Sequence, residues 1–140
     1  MLARSRFAGN RSLKGKIMAS AETQIWKSAR LTIERGDSEE QGTVFRFSGP
    51  FTGRDMYNSL SPDAFRSIFE SAPGKEQPPT HVFDLREVPY MDSTALGMLA
   101  SHYVRCQGKG IRLSIVGVNP RVQELFRLTG MVSVLPIASL

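Results

Sequence analysis

The stretch Val82 to Gly97, VFDLREVPYMDSTALG, constrains the fold of this chain more than any other. It begins apolar and strand-like at Val82, Phe83 and Leu85, turns at Arg86–Glu87, and resumes as a second apolar piece in Val88, Tyr90 and Met91. After Asp92, Ser93 and Thr94, the residues Leu96, Leu99, Ala100, Tyr103 and Val104 recur at helical spacing and are expected to face a core. Asp92 has the chemistry of an N-cap, because its short carboxylate can accept hydrogen bonds from the free amides of a first helical turn. Ser93 then occupies the first helical position, its hydroxyl at the positive end of the helix dipole. Such a serine has two readings: a modifiable hydroxyl on a rigid base, or an ordinary helix-starting residue. Geometry by itself leaves both open.

The remaining elements follow in order. Ile25–Ile33 (IWKSARLTI) reads as a strand, Glu34–Gln41 (ERGDSEEQ) as a polar turn, and Thr43–Phe47 as a second strand, together a β-hairpin ended by Ser48-Gly49-Pro50. Ser61-Pro62-Asp63 opens a helix with a serine cap, proline at the first position and an acid in the first turn. Phe65, Ile68 and Phe69 give this helix its apolar face, and Asp55–Leu60 reads as an earlier turn of it. Ser71–Thr80 is a proline-rich loop. The helix after Ser93 is expected to end near Gln107-Gly108, with Gly108-Lys109-Gly110 as a turn and Ile111–Val116 as a strand. Asn119-Pro120 starts another helix with Val122, Leu125 and Phe126 on its apolar face and Gly130 as its stop. Val132–Ile137 reads as a last short strand. The order β-β-α-β-α-β-α-β implies an α/β fold, in which a mixed sheet of about five strands is covered by three to four helices.

With 140 residues the chain can bury the core of one domain. Residues 21–140 are expected to form it, after a basic, disordered extension over 1–20. The net charge of +5 invites a nucleic-acid reading, but its distribution opposes one. Residues 1–17 carry Arg4, Arg6, Arg11, Lys14 and Lys16 without an acid, which leaves 13 basic residues balanced by 13 acidic ones elsewhere. No apolar run approaches the roughly 20 residues of a membrane span. The tail has no apolar core, so it is not read as a secretory signal. The single cysteine, Cys106, excludes an internal disulfide and suits a reducing, cytoplasmic compartment.

Enzymatic chemistry finds little support. A serine nucleophile needs a base, and the two histidines are His81, at a strand start, and His102, nine residues past Ser93. At 1.5 Å per residue that is about 13 Å along a helix. There is no G-x-S-x-G elbow and no phosphate-binding G-x-x-x-x-G-K-[ST] loop. No His/Cys/Asp/Glu cluster shows ligand spacing, so neither metal nor cofactor is expected. Asp84 and Asp92 could together hold a divalent cation near Ser93; a strand-end carboxylate and a helix cap are the simpler roles.

The element order, the FDL strand, the junction Met91-Asp92-Ser93-Thr94-Ala95-Leu96-Gly97, the turn QGKGIRL and the segment NPRVQELFRLTG resemble the STAS domain over about residues 23–137. More narrowly they resemble the bacterial anti-sigma-factor antagonists. The resemblance implies a non-enzymatic partner switch. An anti-sigma factor that is also a serine kinase binds the unphosphorylated antagonist and so releases its sigma factor. Phosphorylation of the serine after the aspartate, here Ser93 with Thr94 as second choice, ends the binding, and a phosphatase restores it. Asp92, Thr94, Ala95, Gly97 and Met91 would form the surroundings of the phosphosite, with small Ala95 and Gly97 admitting a partner and Met91 and Leu96 as candidates for apolar contact, core packing being the favoured use of Leu96. Where the family often has an aspartate after its second strand, this chain has Thr52, with Asp55 close by as a substitute. The alternative is a STAS scaffold, or a ligand- or nucleotide-sensing module, in a signalling or transport assembly.

Overall fold

Five strands build one mixed sheet in the computed structural model, which describes residues 22–38, 40–57, 61–70 and 80–138. In chain order they are β1 (Thr23–Lys27), β2 (Thr32–Ser38), β3 (Gly42–Ser48), β4 (Thr80–Glu87) and β5 (Arg112–Val116), and they lie side by side in that same order. β1, β2 and β3 pair antiparallel. β4 and β5 join parallel, each reached through a helical crossover. The helices are α1 (Gly53–Met56), α2 (Pro62–Ser67), α3 (Ser93–Lys109) and α4 (Pro120–Leu128), followed by a 3-10 turn at Met131–Ser133. The α/β class, the mixed sheet and the strand number agree with expectation.

The identities of two strands differ from expectation. The Ile25–Ile33 run is cut by a turn in which Ser28 N–H donates to the Leu31 carbonyl at 2.9 Å and Leu31 N–H to Ser28 Oγ at 3.2 Å. β2 then continues through the polar ERGDS segment that sequence assigned to a turn, because all seven of its residues pair with β3. Ladder pairing with a core strand outweighs the weak strand preference of Glu, Gly and Asp. Val132–Ile137 is not a strand: it forms the 3-10 turn and then touches the sheet at a single bridge from Ile137 to Ile115. The earlier turn expected at Asp55–Leu60 is the separate helix α1, and residues 58–60 lie outside the described residues. So do residues 1–21, which include the basic tail.

One face of the sheet is aromatic. Phe45, Phe47 and Phe83 lie on it, and α2 and the turn after it lay Phe65 and Phe69 across them. The ring centroids of Phe69 stand 5.1 Å from both Phe45 and Phe83. All of these rings are buried. α3 closes the same face through the buried stripe Ala95, Leu99, His102 and Cys106, spaced four, three and four residues apart. Val104, expected in the core, falls on the side of α3 opposite that stripe and is 64% exposed. At Gly49 a side chain is excluded, since its φ is +108° and a Cβ would come within 1.9 Å of the Arg30 carbonyl oxygen.

Candidate functional site

The start of α3 is built as the local chemistry requires. Asp92 is the N-cap, and its Oδ1 accepts from Ala95 N–H at 2.9 Å. The same carboxylate accepts from Gly53 N–H, with its two oxygens at 3.0 and 3.2 Å. Gly53 is the first residue of α1, so one carboxylate caps α3 and also takes an amide from the start of a second helix. The two junctions are drawn together by a parallel bridge between Phe51 and Met91 and by Phe51 N–H donating to the Tyr90 carbonyl at 3.0 Å. Gly53 must be small here: a Cβ would lie 2.8 Å from Thr94 Cγ2. The loop after β3 therefore reaches the serine junction.

Ser93 and Thr94 are both exposed at this junction, and Gly97, one turn on, is exposed with open space around it. Two residues expected around the phosphosite, Ala95 and Met91, are buried, as is Leu96, which was expected to face the core. Ala95 is fully buried, Leu96 nearly so, and Met91 is 9% exposed, so they pack the helix start onto the core.

Thr52 and Asp55 are also buried and have work of their own. Thr52 caps α1, its Oγ1 accepting from Asp55 N–H at 3.3 Å and donating to Asp55 Oδ2 at 2.6 Å. Arg30 holds both oxygens of Asp55, Nε to Oδ1 and Nη2 to Oδ2, each at 3.1 Å. Burial opposes ionisation of Asp55, but the hydrogen bonds from Arg30 and Thr52 outweigh it, and its pKa lies below the ordinary carboxylate value. Asp55 is thus committed to Arg30 rather than standing in as a free carboxylate beside Ser93. Arg30 also donates to the Tyr90 hydroxyl at 3.1 Å, and the Arg121 guanidinium sits 4.8 Å from the Tyr90 ring centre. Asn119, the N-cap of α4, completes the bracing by donating to the Val88 carbonyl at 3.0 Å.

The cation pair suggested for Asp84 and Asp92 does not form: Asp84 is buried and accepts from Arg86 N–H at 3.0 Å, while Asp92 serves backbone amides. The structure does assemble a cluster that sequence spacing missed. His81, from β4, meets His102 and Cys106, one turn apart on α3, and their ligand atoms all lie within 4.8 Å of one another. The i, i+4 spacing of His102 and Cys106 was the available signal; His81 joins only through the packing of α3 on the sheet. Burial draws the pKa of His81 down to about 4 and that of His102 to about 3, and pushes the Cys106 thiol up to about 11. At neutral pH all three are uncharged. His102 points away from Ser93, at the far half of α3, so it offers that hydroxyl no base.

A mixed sheet of this order, with a capped serine at the β4–α3 junction, defines a STAS domain. The family model described as STAS domain matches residues 33–139, and the chain belongs to that family. Among its relatives is the anti-sigma F factor antagonist of Paenibacillus polymyxa, 29% identical over 75 residues, which are 54% of this chain and 64% of that protein. The chain therefore aligns with less than two thirds of that relative's length. The fold is shared with the anti-sigma factor antagonist SpoIIAA in its unphosphorylated form, at TM-score 0.58 and 16% identity, over 76% of this chain and 88% of that one. It is shared equally with a sulfate transporter family protein from Wolinella succinogenes, at TM-score 0.54 and 21% identity, over 67% of this chain and 73% of that one. No helix among the described residues is long and apolar enough to cross a membrane.

Proposed function

We propose that this chain is an anti-sigma-factor antagonist, a non-enzymatic cytoplasmic regulator of transcription whose binding is switched by phosphorylation of Ser93. The observation that carries the reading is the exposed Ser93 hydroxyl at the first position of a 17-residue helix, directly after a capping aspartate. The antagonist from Paenibacillus polymyxa supports the general role. The partner is an anti-sigma factor with serine-kinase activity, and a phosphatase resets the switch. Neither nucleic acid nor membrane insertion enters the cycle.

The physics suits a switch that acts at the interface and spares the fold. A phosphate adds about −1.5 to −2 charge and three acceptor oxygens. At a helix N-terminus the dipole and free amides tolerate it. The same group on a surface that must dock adds bulk and repels acidic partner groups, and burying it costs desolvation. The test is binding to the anti-sigma factor of the same genome. Ser93→Ala is expected to bind constitutively and Ser93→Glu to bind at least about tenfold more weakly, whereas equal binding by wild type, Ser93→Ala and Ser93→Glu would overturn the switch.

One observation favours a second reading, a STAS module in a transport or signalling assembly. Thr52 stands where the antagonists often carry an aspartate, and its hydroxyl is consumed in capping α1 and bonding Asp55. That reading gains if the chain binds no anti-sigma factor in any phosphorylation state.

A further inference from the structure

The whole chain contains two histidines and one cysteine. All three meet in one place. His81 Nδ1 lies 3.2 Å from His102 Nε2, and Cys106 Sγ lies 3.4 Å from His102 Nε2 and 3.9 Å from His81 Nδ1. Each residue is 2–3% exposed. We propose that this triad is a zinc site, in which His81 Nδ1, His102 Nε2 and Cys106 Sγ bind one ion and clip β4 to α3.

The dimensions fit. Zinc bonds of about 2.0–2.1 Å to nitrogen and about 2.3 Å to sulfur place tetrahedral neighbours about 3.3 Å apart for two nitrogens and about 3.6 Å apart for nitrogen and sulfur. The three observed separations depart from these by a few tenths of an ångström, within the reach of small side-chain rotations. Two imidazoles and a thiolate form a borderline-soft donor set, which suits zinc and not magnesium or calcium. The rings are already held: His102 stacks on Phe83 at 4.7 Å with planes 17° apart, and His81 on His102 at 5.3 Å with planes 10° apart. Beside the triad, a cavity of about 10 Å³ for a water-sized sphere is bordered by Phe69, Glu70, Arg105 and Lys109. It has the size of one water, the usual fourth ligand where the protein supplies three.

The proton balance is definite. Arg105 Nη2, which can only donate, is 3.3 Å from His102 Nδ1, so without metal the His102 proton is on Nε2. Zinc takes the Nε2 lone pair, and that proton passes to Nδ1. Arg105 then turns to Glu70, whose carboxylate it already faces at 3.9 Å. At Cys106 the S–H bond breaks, the Zn–S bond forms, and one proton leaves to solvent. The positive charges of Arg105 and Lys109 oppose the incoming cation; the new thiolate and Glu70, 4.0 Å from Lys109 Nζ, offset them.

The test is calorimetric titration of the untagged, chelator-stripped full chain with zinc in two buffers of different ionisation enthalpy. One zinc per chain, one proton released and protection of Cys106 from a thiol reagent are expected. His102→Gln and Cys106→Ser should each weaken zinc binding by at least about 100-fold, since even loss of an outer hydrogen-bond partner costs 10–100-fold. Cobalt replaces zinc as a probe on the wild-type chain, so the assay does not depend on a variant folding. A thiolate-to-cobalt charge-transfer band is expected there and should vanish in Cys106→Ser. The proposal is overturned if wild type takes up no stoichiometric zinc, if both variants bind it like wild type, or if cobalt shows no sulfur band.

Discussion

The two ends of α3 make opposite environments from one helix. Its N-terminal turn is open: Ser93 and Thr94 face solvent, and Asp92 gathers amides from two helix starts. Its C-terminal half is closed, with His102 and Cys106 buried among Phe69, Phe83 and His81. The first end suits an added anion, because amides and dipole are already directed at it. The second keeps polar atoms neutral, because burial charges heavily for an unpaired ion. The proposed phosphate at one end and the proposed cation at the other, held by two neutral imidazoles and a thiolate, each suit the environment that the helix gives them.

The largest expected effect comes from breaking the closed end. Phe69 touches the rings of Phe45, Phe47, Phe83 and His102, so Phe69→Ala should cost about 3–5 kcal/mol in urea denaturation. Next is acid sensitivity of the metal-free protein. His81 and His102 titrate near about 4 and about 3 when folded, chiefly through burial, and near about 6.5 when unfolded. The unfolded chain therefore binds more protons throughout that window, and stability should fall as pH drops from about 6.5 toward 4, by an amount on the order of a few kcal/mol. His102→Gln should flatten that slope, as measured by denaturation midpoints across pH.

At the open end, Asp92→Ala removes the acceptor for Ala95 and Gly53 amides and should cost about 1–2 kcal/mol, while Asp92→Asn, which keeps a capping oxygen, should cost much less. Smallest in stability is Ser93→Ala, within about 0.5 kcal/mol because the residue is exposed. A large loss of stability in Ser93→Ala would erase the contrast between the two ends.

Local chemistry was the legible part of the sequence. Asp92, Ser61-Pro62 and Asn119-Pro120 were read as helix starts from their side chains alone, and each caps its helix as expected. What could not be read depends on partners distant in sequence. The polar ERGDS segment becomes a strand only because β3 lies beside it. Val132–Ile137 has strand-like composition, yet it meets the edge strand β5 at one residue. Met91 and Ala95 were placed around the phosphosite because they flank Ser93; the bridge to Phe51 holds Met91 inward and the helix phase does so for Ala95. The His81–His102–Cys106 cluster joins residues 21 and 4 positions apart, and only the first of those separations needs the tertiary fold to close.

The central claim is that Ser93 is the switch. Intact-mass spectrometry after incubation with ATP and the anti-sigma kinase of the same genome tests it most directly, comparing wild type, Ser93→Ala and Thr94→Ala. The account predicts one phosphoryl group on wild type and Thr94→Ala and none on Ser93→Ala. An unmodified wild-type chain, or a phosphoryl group retained in Ser93→Ala, would contradict it.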